Sequence, residues 1–76
     1  MSISKNSILC NQRLFGLNIK KIREEKGLSQ NDLASLCNIE KTGISRIENG
    51  RTNITLKTVT LLSKYLEVEL KDLFDF

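Results

Sequence analysis

Four polar side chains that can hydrogen-bond to the edges of DNA bases share one face of a short predicted helix: Lys41, Thr42, Ser45 and Arg46. The guanidinium of Arg46 can pair with O6 and N7 of one guanine, a contact worth about 1–3 kcal/mol of discrimination. Lys41 can reach a guanine or a phosphate, and Thr42 offers a hydroxyl and a methyl group for thymine. The same residues would also suit an ordinary solvated helix face, so the elements that carry them decide between the two interpretations.

Two short helices joined by three residues are predicted to carry this face. The first opens at Ser29 with a capping-box-like Ser-Gln-Asn-Asp start and ends at Asn38. The second runs from about Lys41 to Glu48 and stops at Gly50, with Glu40 as a weak cap. This arrangement predicts a helix-turn-helix, whose second helix lies in the major groove while the first crosses the phosphates.

The rest of the chain is predicted to be helical as well. A first helix begins at Arg13 and ends at Gly27, Thr55 caps a fourth, and a short fifth follows. The first and fourth helices carry apolar stripes, which are Phe15, Ile19 and Ile22, then Leu56, Val59, Leu62 and Leu66. The apolar residues of the short fifth helix are Val68, Leu70, Leu73 and Phe74. No segment alternates as a strand does, so we expect an all-α fold of five helices. The domain would span 13–76, after an N-terminal arm at 1–12 that is either flexible or an extra helical turn.

The charges of the chain are unevenly distributed. Its net charge is +3, and residues 1–51 hold nine Lys and Arg against five Asp and Glu, whereas residues 52–76 hold three against four. A basic region releases condensed counterions from a polyanion, which favours binding to nucleic acid. A solvated lysine-rich surface would give the same numbers, so the charge alone leaves both interpretations open.

Several classes of site are excluded by what the sequence lacks. It has no histidine and no Cys-x-x-Cys pair, because its two cysteines, Cys10 and Cys37, stand 27 positions apart, so we expect no metal and no cofactor. It also has no credible nucleophile–base set and no glycine-rich phosphate loop, which argues against an enzyme. With no secretory signal and no long apolar run, we expect a cytoplasmic protein without a membrane contact.

The two motif helices resemble the signature of the XRE family, the phage-repressor and Cro-like helix-turn-helix proteins. The resemblance is carried by Leu-Ser-Gln-Asn-Asp-Leu-Ala at 28–34 and Ile-Ser-Arg-Ile-Glu-Asn-Gly at 44–50, and it extends from about residue 16 to residue 74. It implies a phage-repressor-like fold in which Lys41, Thr42 and Arg46 face base edges. Ser45 shares their face of the helix and is expected to touch either a base or a phosphate. It also implies that Gln30 and Asn49 bind the DNA backbone, and Arg51, which follows shortly after Asn49, is expected to reach a phosphate as well. Helix capping for Gln30 and simple solvation for Arg51 are the alternatives.

One position departs from the family pattern, and two others look functional but are interpreted as structural. Gly43 stands where the family commonly has a side chain. The glycine would either let the helix approach the DNA closely, or be a neutral evolutionary change, or mean that this face of the helix contacts fewer bases. The resemblance implies that Arg23 and Glu48 form an ion pair between the first and third helices. Loss of one buried partner is expected to cost roughly 3–5 kcal/mol.

A dimer interface is predicted on the C-terminal elements. Leu61 and Tyr65 lie one helical turn apart and off the core stripe, so we expect them to be exposed, with Phe74 and Phe76 nearby. Packing of this pair against the N-terminal arm is the alternative. Leu17 and Leu36 are also apolar where the family is usually polar, and Ile8 and Leu9 are candidates to cover them; these four residues are left unassigned.

The sequence therefore predicts a transcription regulator that binds double-stranded DNA as a homodimer. It would occupy an inverted-repeat operator through its third helix, without a small-molecule ligand, and a restriction-modification controller protein is one specific version. The alternative is an antitoxin or adaptor that uses the same fold to hold a protein partner, because fold does not dictate function.

Overall fold

The computed structural model describes residues 5–76, which form four α-helices and a C-terminal 3₁₀ helix. The helices are α1 (Lys5–Glu25), α2 (Gln30–Cys37), α3 (Lys41–Glu48) and α4 (Leu56–Leu66), and the 3₁₀ helix is Leu70–Phe74. No strand occurs within residues 5–76, so the predicted all-α class is confirmed. The prediction of five α-helices is wrong in its last member. That element is a 3₁₀ helix of five residues, and 3₁₀ helices occur in short segments because their hydrogen-bond geometry is poorer than that of an α-helix.

The first helix begins eight residues earlier than the sequence predicted, at Lys5 rather than Arg13. The segment between these positions contains neither glycine nor proline, so nothing in it interrupts a helix. The part of the predicted arm within the described residues is therefore a helical extension of α1. Residues 1–4 lie outside the described residues, and the division of the chain at residue 12 remains a prediction.

A single apolar core joins α1 to the other elements. Its buried members come from every helix: Phe15, Ile19, Leu33, Ala34, Cys37, Ile44, Ile47, Val59, Leu62, Leu66 and Leu73. Leu56, predicted as part of the α4 core stripe, is instead 73% exposed. Side chains tilt toward the N-terminus of their helix, so a residue at the first position of α4 overhangs the end of the helix and misses the core.

Two glycines allow α1 to lie directly on the C-terminal end of α3. A Cβ added at Gly16 would stand 2.2 Å from the carbonyl oxygen of Ile47. One added at Gly50 would stand 2.7 Å from the Cα of Arg13, and Gly50 also has a φ of +67° that L side chains rarely adopt. The backbones of α1 and α3 are therefore in contact, which fixes where α3 lies.

The turn between α2 and α3 is held by local hydrogen bonds. Ser29 caps α2 as predicted, because its hydroxyl accepts from the amide of Asp32 at 3.0 Å and its own amide donates to the Asp32 carboxylate at 2.9 Å. Asn38 ends α2 in the left-handed conformation, with a φ of 54°. This residue type tolerates that conformation, so the chain reverses within three residues and α3 can begin at Lys41.

Candidate nucleic-acid interface

The third helix is buried on one side and carries polar side chains on the other. Ile44 is fully buried and Ile47 nearly so, which anchors the inner face of α3 in the core. Lys41, Thr42 and Arg46 are exposed. The sequence-predicted base-contact residues therefore lie on the outer face of one rigid helix, with the fourth of them, Ser45, half-buried beside them.

A buried ion pair fastens α3 to α1. The Nε and Nη2 atoms of Arg23 lie 2.6 Å and 3.1 Å from the two carboxylate oxygens of Glu48, and Nη1 donates to the carbonyl oxygen of Leu28 at 2.7 Å. The hydrogen bond to Glu48, opposed by burial, raises the pKa of Arg23 above its ordinary value. The structure thus brings together the two residues that the sequence assigned to a structural pair.

Two of the three side chains predicted to bind the DNA backbone are hydrogen-bonded within the protein. Gln30 donates from Nε2 to Glu48 Oε1 at 3.0 Å. Asn49 donates from Nδ2 to the carbonyl oxygen of Ser45 at 2.8 Å, and its backbone amide donates to the same oxygen at 3.0 Å. Arg51 is exposed, just beyond the end of α3. Gln30 therefore extends the Arg23–Glu48 pair to the first turn of α2, a link that the sequence did not predict.

Gly43 has a structural role that the sequence did not indicate. A Cβ built on it would lie 2.9 Å from the Cγ2 methyl of Ile39. Ile39 belongs to the turn between α2 and α3 and is half-buried against the core. The absence of a side chain at position 43 therefore lets the turn lie close to α3.

A carboxylate stands at the start of α3. Glu40 is exposed and occupies the N-cap position, but its side chain caps no backbone amide of the helix. Within residues 5–76 its side chain accepts one long hydrogen bond, which the hydroxyl of Thr42 donates to Oε2 at 3.4 Å. Sequence reasoning treated Glu40 only as a weak cap and did not include it in the interface.

A comparison with known protein families assigns the chain to one of them. A family model described as "Helix-turn-helix" matches residues 19–73. The chain belongs to the helix-turn-helix family. The XRE-type resemblance predicted from residues 28–50 is thereby confirmed, and the family is one of DNA-binding transcription regulators rather than enzymes.

Relatives of this helix-turn-helix protein agree with that assignment. Control protein C.BamHI of Bacillus amyloliquefaciens is 44% identical over 64 residues, which cover 83% of this chain and 79% of that protein. The structure of the restriction-modification controller protein C.AhdI from Aeromonas hydrophila matches with a TM-score of 0.84 at 31% identity, covering 86% of this chain and 98% of that one. SinR, a master regulator for biofilm formation solved in complex with DNA, matches with a TM-score of 0.74 at 35% identity, covering 80% and 98%.

The predicted dimer residues of this helix-turn-helix protein do not form one exposed patch. Leu61 and Tyr65 are half-buried and lie against the core, so the prediction that they are exposed is wrong. Phe74 and Phe76 are 49% and 53% exposed. They border an apolar groove of about 560 Å³ whose lining includes neither Leu61 nor Tyr65. The remaining walls of the groove come from Ile8, Asn11, Gln12, Phe15, Ile47, Thr52, Asn53 and Ile54.

Four other apolar residues that the sequence left unassigned remain exposed. Leu17 and Leu36 are 54% and 44% exposed, and Ile8 and Leu9 are about half exposed themselves.

In the described part of the chain, no group of His, Cys, Asp and Glu is arranged to hold a metal ion. None of the helices within residues 5–76 is long and apolar enough to span a membrane.

Proposed function

We propose that this protein is a sequence-specific transcription regulator that inserts α3 into the major groove of double-stranded DNA. One observation carries the proposal: α3 is fixed from behind by the core and by the Arg23–Glu48 pair, while its polar outer face is exposed. A rigid helix matches the width of the groove, about 12 Å. A DNA-binding helix that is already held in one orientation loses little conformational freedom on binding, which favours affinity.

The roles of the individual side chains follow from their chemistry. Arg46 is proposed to bind guanine through two hydrogen bonds, and Lys41 and Thr42 to contact the neighbouring bases. Arg51 and the free N–H of Gln30 are proposed to bind phosphates, which position the protein without reading sequence. Asn49 follows α3 directly, and its side-chain amide donates to the carbonyl oxygen of Ser45. From this position at the end of α3 it is proposed to approach the DNA backbone.

We further propose that the protein acts as a homodimer on an inverted repeat. Two copies of one reading helix on adjacent half-sites, about one helical turn apart, would recognise such an operator. The exposed aromatic side chains of Phe74 and Phe76 and the apolar groove that they border are the best candidate contacts between copies. Similarity to C.BamHI and C.AhdI supports the specific version in which the protein is a restriction-modification controller.

The same groove supports a second candidate function, an antitoxin or adaptor that binds a protein partner. Its lining is mostly apolar, and exposed apolar surface of this kind is common at protein–protein contacts. In that case the outer face of α3 would give only weak, salt-sensitive binding to DNA of any sequence. The two functions therefore differ in sequence preference, which can be measured directly.

Selection of binding sites from a random duplex pool at near-physiological salt tests the proposal. The wild-type chain is expected to enrich an inverted repeat, and Arg46→Ala is expected to lose preference at one base pair per half-site, by about 1–3 kcal/mol. Arg51→Ala, the matched control, should weaken binding to all sequences alike and leave the preferred site unchanged. Enrichment of a single half-site would remove the dimer from the proposal, and no enrichment at all would favour the protein-binding alternative.

A further inference from the structure

The start of α3 places a negative charge where the proposed interface meets a polyanion. Glu40 is exposed, it caps no amide of its own helix, and it forms no ion pair within residues 5–76. Phosphates repel such a carboxylate, so it lowers affinity for DNA of arbitrary sequence. Specific binding recovers this loss only if the carboxylate meets a hydrogen-bond donor in the groove.

We propose that Glu40 is a specificity-determining residue that accepts a hydrogen bond from the N4 amine of a cytosine, an inference that rests on the proposed function. An ionised carboxylate has only acceptors. Guanine and thymine present acceptors in the major groove, and adenine presents an acceptor, N7, beside its N6 donor. Cytosine alone offers a donor without an adjacent acceptor on the same base, so it is the base that a carboxylate selects.

The hydrogen bond from Thr42 fits this assignment. When the Thr42 hydroxyl donates to Oε2 of Glu40, its oxygen keeps free lone pairs, and Oε1 of Glu40 is left to accept from another group. The neighbouring Lys41 carries the opposite chemistry, three donors and no acceptor. The start of α3 therefore presents an acceptor beside a donor, which is complementary to cytosine and to the guanine acceptors nearby.

A purely structural role for Glu40 makes different predictions. A carboxylate near a helix N-terminus stabilises the helix through its dipole. If this were its whole role, Glu40→Ala would lower thermal stability and change affinity for all sequences by the same factor. Base preference is the readout that separates the two roles.

The test compares binding-site selection by the wild-type chain, Glu40→Ala and Glu40→Gln. At one base pair in each half-site, the wild type is expected to prefer cytosine about tenfold, and Glu40→Ala to lose that preference. Glu40→Gln is expected to shift it toward adenine, since an amide supplies a donor for N7 as well as an acceptor for N6. Glu67→Gln removes the same charge from the exposed end of α4 and should leave the selected site unchanged.

A second measurement removes the donor from the DNA instead of the acceptor from the protein. In the selected duplex, cytosine at that position is replaced by N4-methylcytosine, whose methyl group takes the place of the N4 hydrogen that faces the major groove while the hydrogen bond to guanine O6 is kept. The wild type should bind this duplex about tenfold more weakly, and Glu40→Ala should bind both duplexes equally. If Glu40→Ala selects the same site as the wild type, or if both proteins lose the same affinity for the modified duplex, the assignment of Glu40 is overturned and the proposed function is not affected. Absence of any enriched site for the wild type would instead refute the proposed function.

Discussion

Removal of Arg23 is the perturbation that best tests how the interface helix is held in place. In Arg23→Ala, the carboxylate of Glu48, whose side chain is only 2% exposed, loses both of its contacts to the guanidinium. The hydrogen bond that Gln30 donates to Glu48 remains, and the carbonyl oxygen of Leu28 also loses a donor. A buried charge is then left largely uncompensated.

The expected loss of stability is large for a domain of this size. An unpartnered buried charge typically costs about 3–5 kcal/mol. A 76-residue domain has a total unfolding free energy of roughly 4–11 kcal/mol. We therefore expect the melting temperature of Arg23→Ala to fall by more than about 10 °C, and the protein that remains folded to keep the same base preference.

Thermal and urea unfolding, followed by circular dichroism, measure this effect. The exposed pair between Lys71 and Glu69, with N–O distance 3.4 Å, is the control, because Lys71→Ala should cost less than about 1 kcal/mol. The double variant Arg23→Met, Glu48→Leu removes both charges and should recover most of the loss. A loss below about 1 kcal/mol for Arg23→Ala, or a double variant no more stable than the single one, would refute the reasoning.

Two further predictions concern the glycine contact and the cap of α2. Gly16→Ala would place a methyl group 2.2 Å from the carbonyl oxygen of Ile47, so it should destabilise the fold by at least about 2 kcal/mol in urea unfolding. Gly27→Ala, in open space with a φ of +73°, should cost only about 1 kcal/mol, and equal costs would contradict the close contact. Hydrogen bonds from Ser29, chiefly from its backbone amide and secondarily from its hydroxyl, lower the pKa of Asp32 below its ordinary value of 3.8. The stability that this cap contributes is therefore present above that pH and is lost as the pH falls through the lower pKa of the folded state. Melting temperatures measured from about pH 6 to about pH 2.5 should therefore fall more steeply for the wild type than for Asp32→Asn, and parallel curves would contradict this.

The helix-turn-helix could be predicted from the sequence because its signals are local. Ser29 and Asp32 stand three residues apart, the spacing of a capping box, and Asn38 tolerates the left-handed conformation that ends α2. The bounds of α3 follow in the same way from apolar residues at helical spacing and from Gly50. These features depend on neighbours within a few positions, so no knowledge of the tertiary structure was needed.

The contacts that position this motif are less visible in the sequence because they join distant residues. Gly16 looks like a weak point in a helix, and only the crossing with α3 explains why a side chain is excluded there. Asn18 donates to the carbonyl oxygens of Asp72 and Leu73, each at 2.9 Å, and so ties the 3₁₀ helix to α1 across more than fifty positions. No periodicity or spacing rule predicts such pairs.

The sequence also predicted the exposure of some α4 side chains wrongly, because their place in the fold decides their exposure more than their residue type does. Leu56 is apolar and in register with the α4 stripe, yet it lies at the open end of the helix. Leu61 and Tyr65 are out of register with that stripe, yet they are half-buried. A helix that is covered on more than one side buries more than one stripe, which a single-face periodicity does not capture.

The most direct test of the central claim is to map the DNA contact on the folded protein in solution. Amide chemical shifts of the labelled chain would be recorded by NMR during titration with the selected duplex. The largest changes are expected at Lys41, Thr42 and Arg46 on α3, with smaller ones at Gln30 and Arg51. Changes centred on the groove beside Phe74 and Phe76, with α3 unaffected, would contradict the claim that the third helix reads DNA.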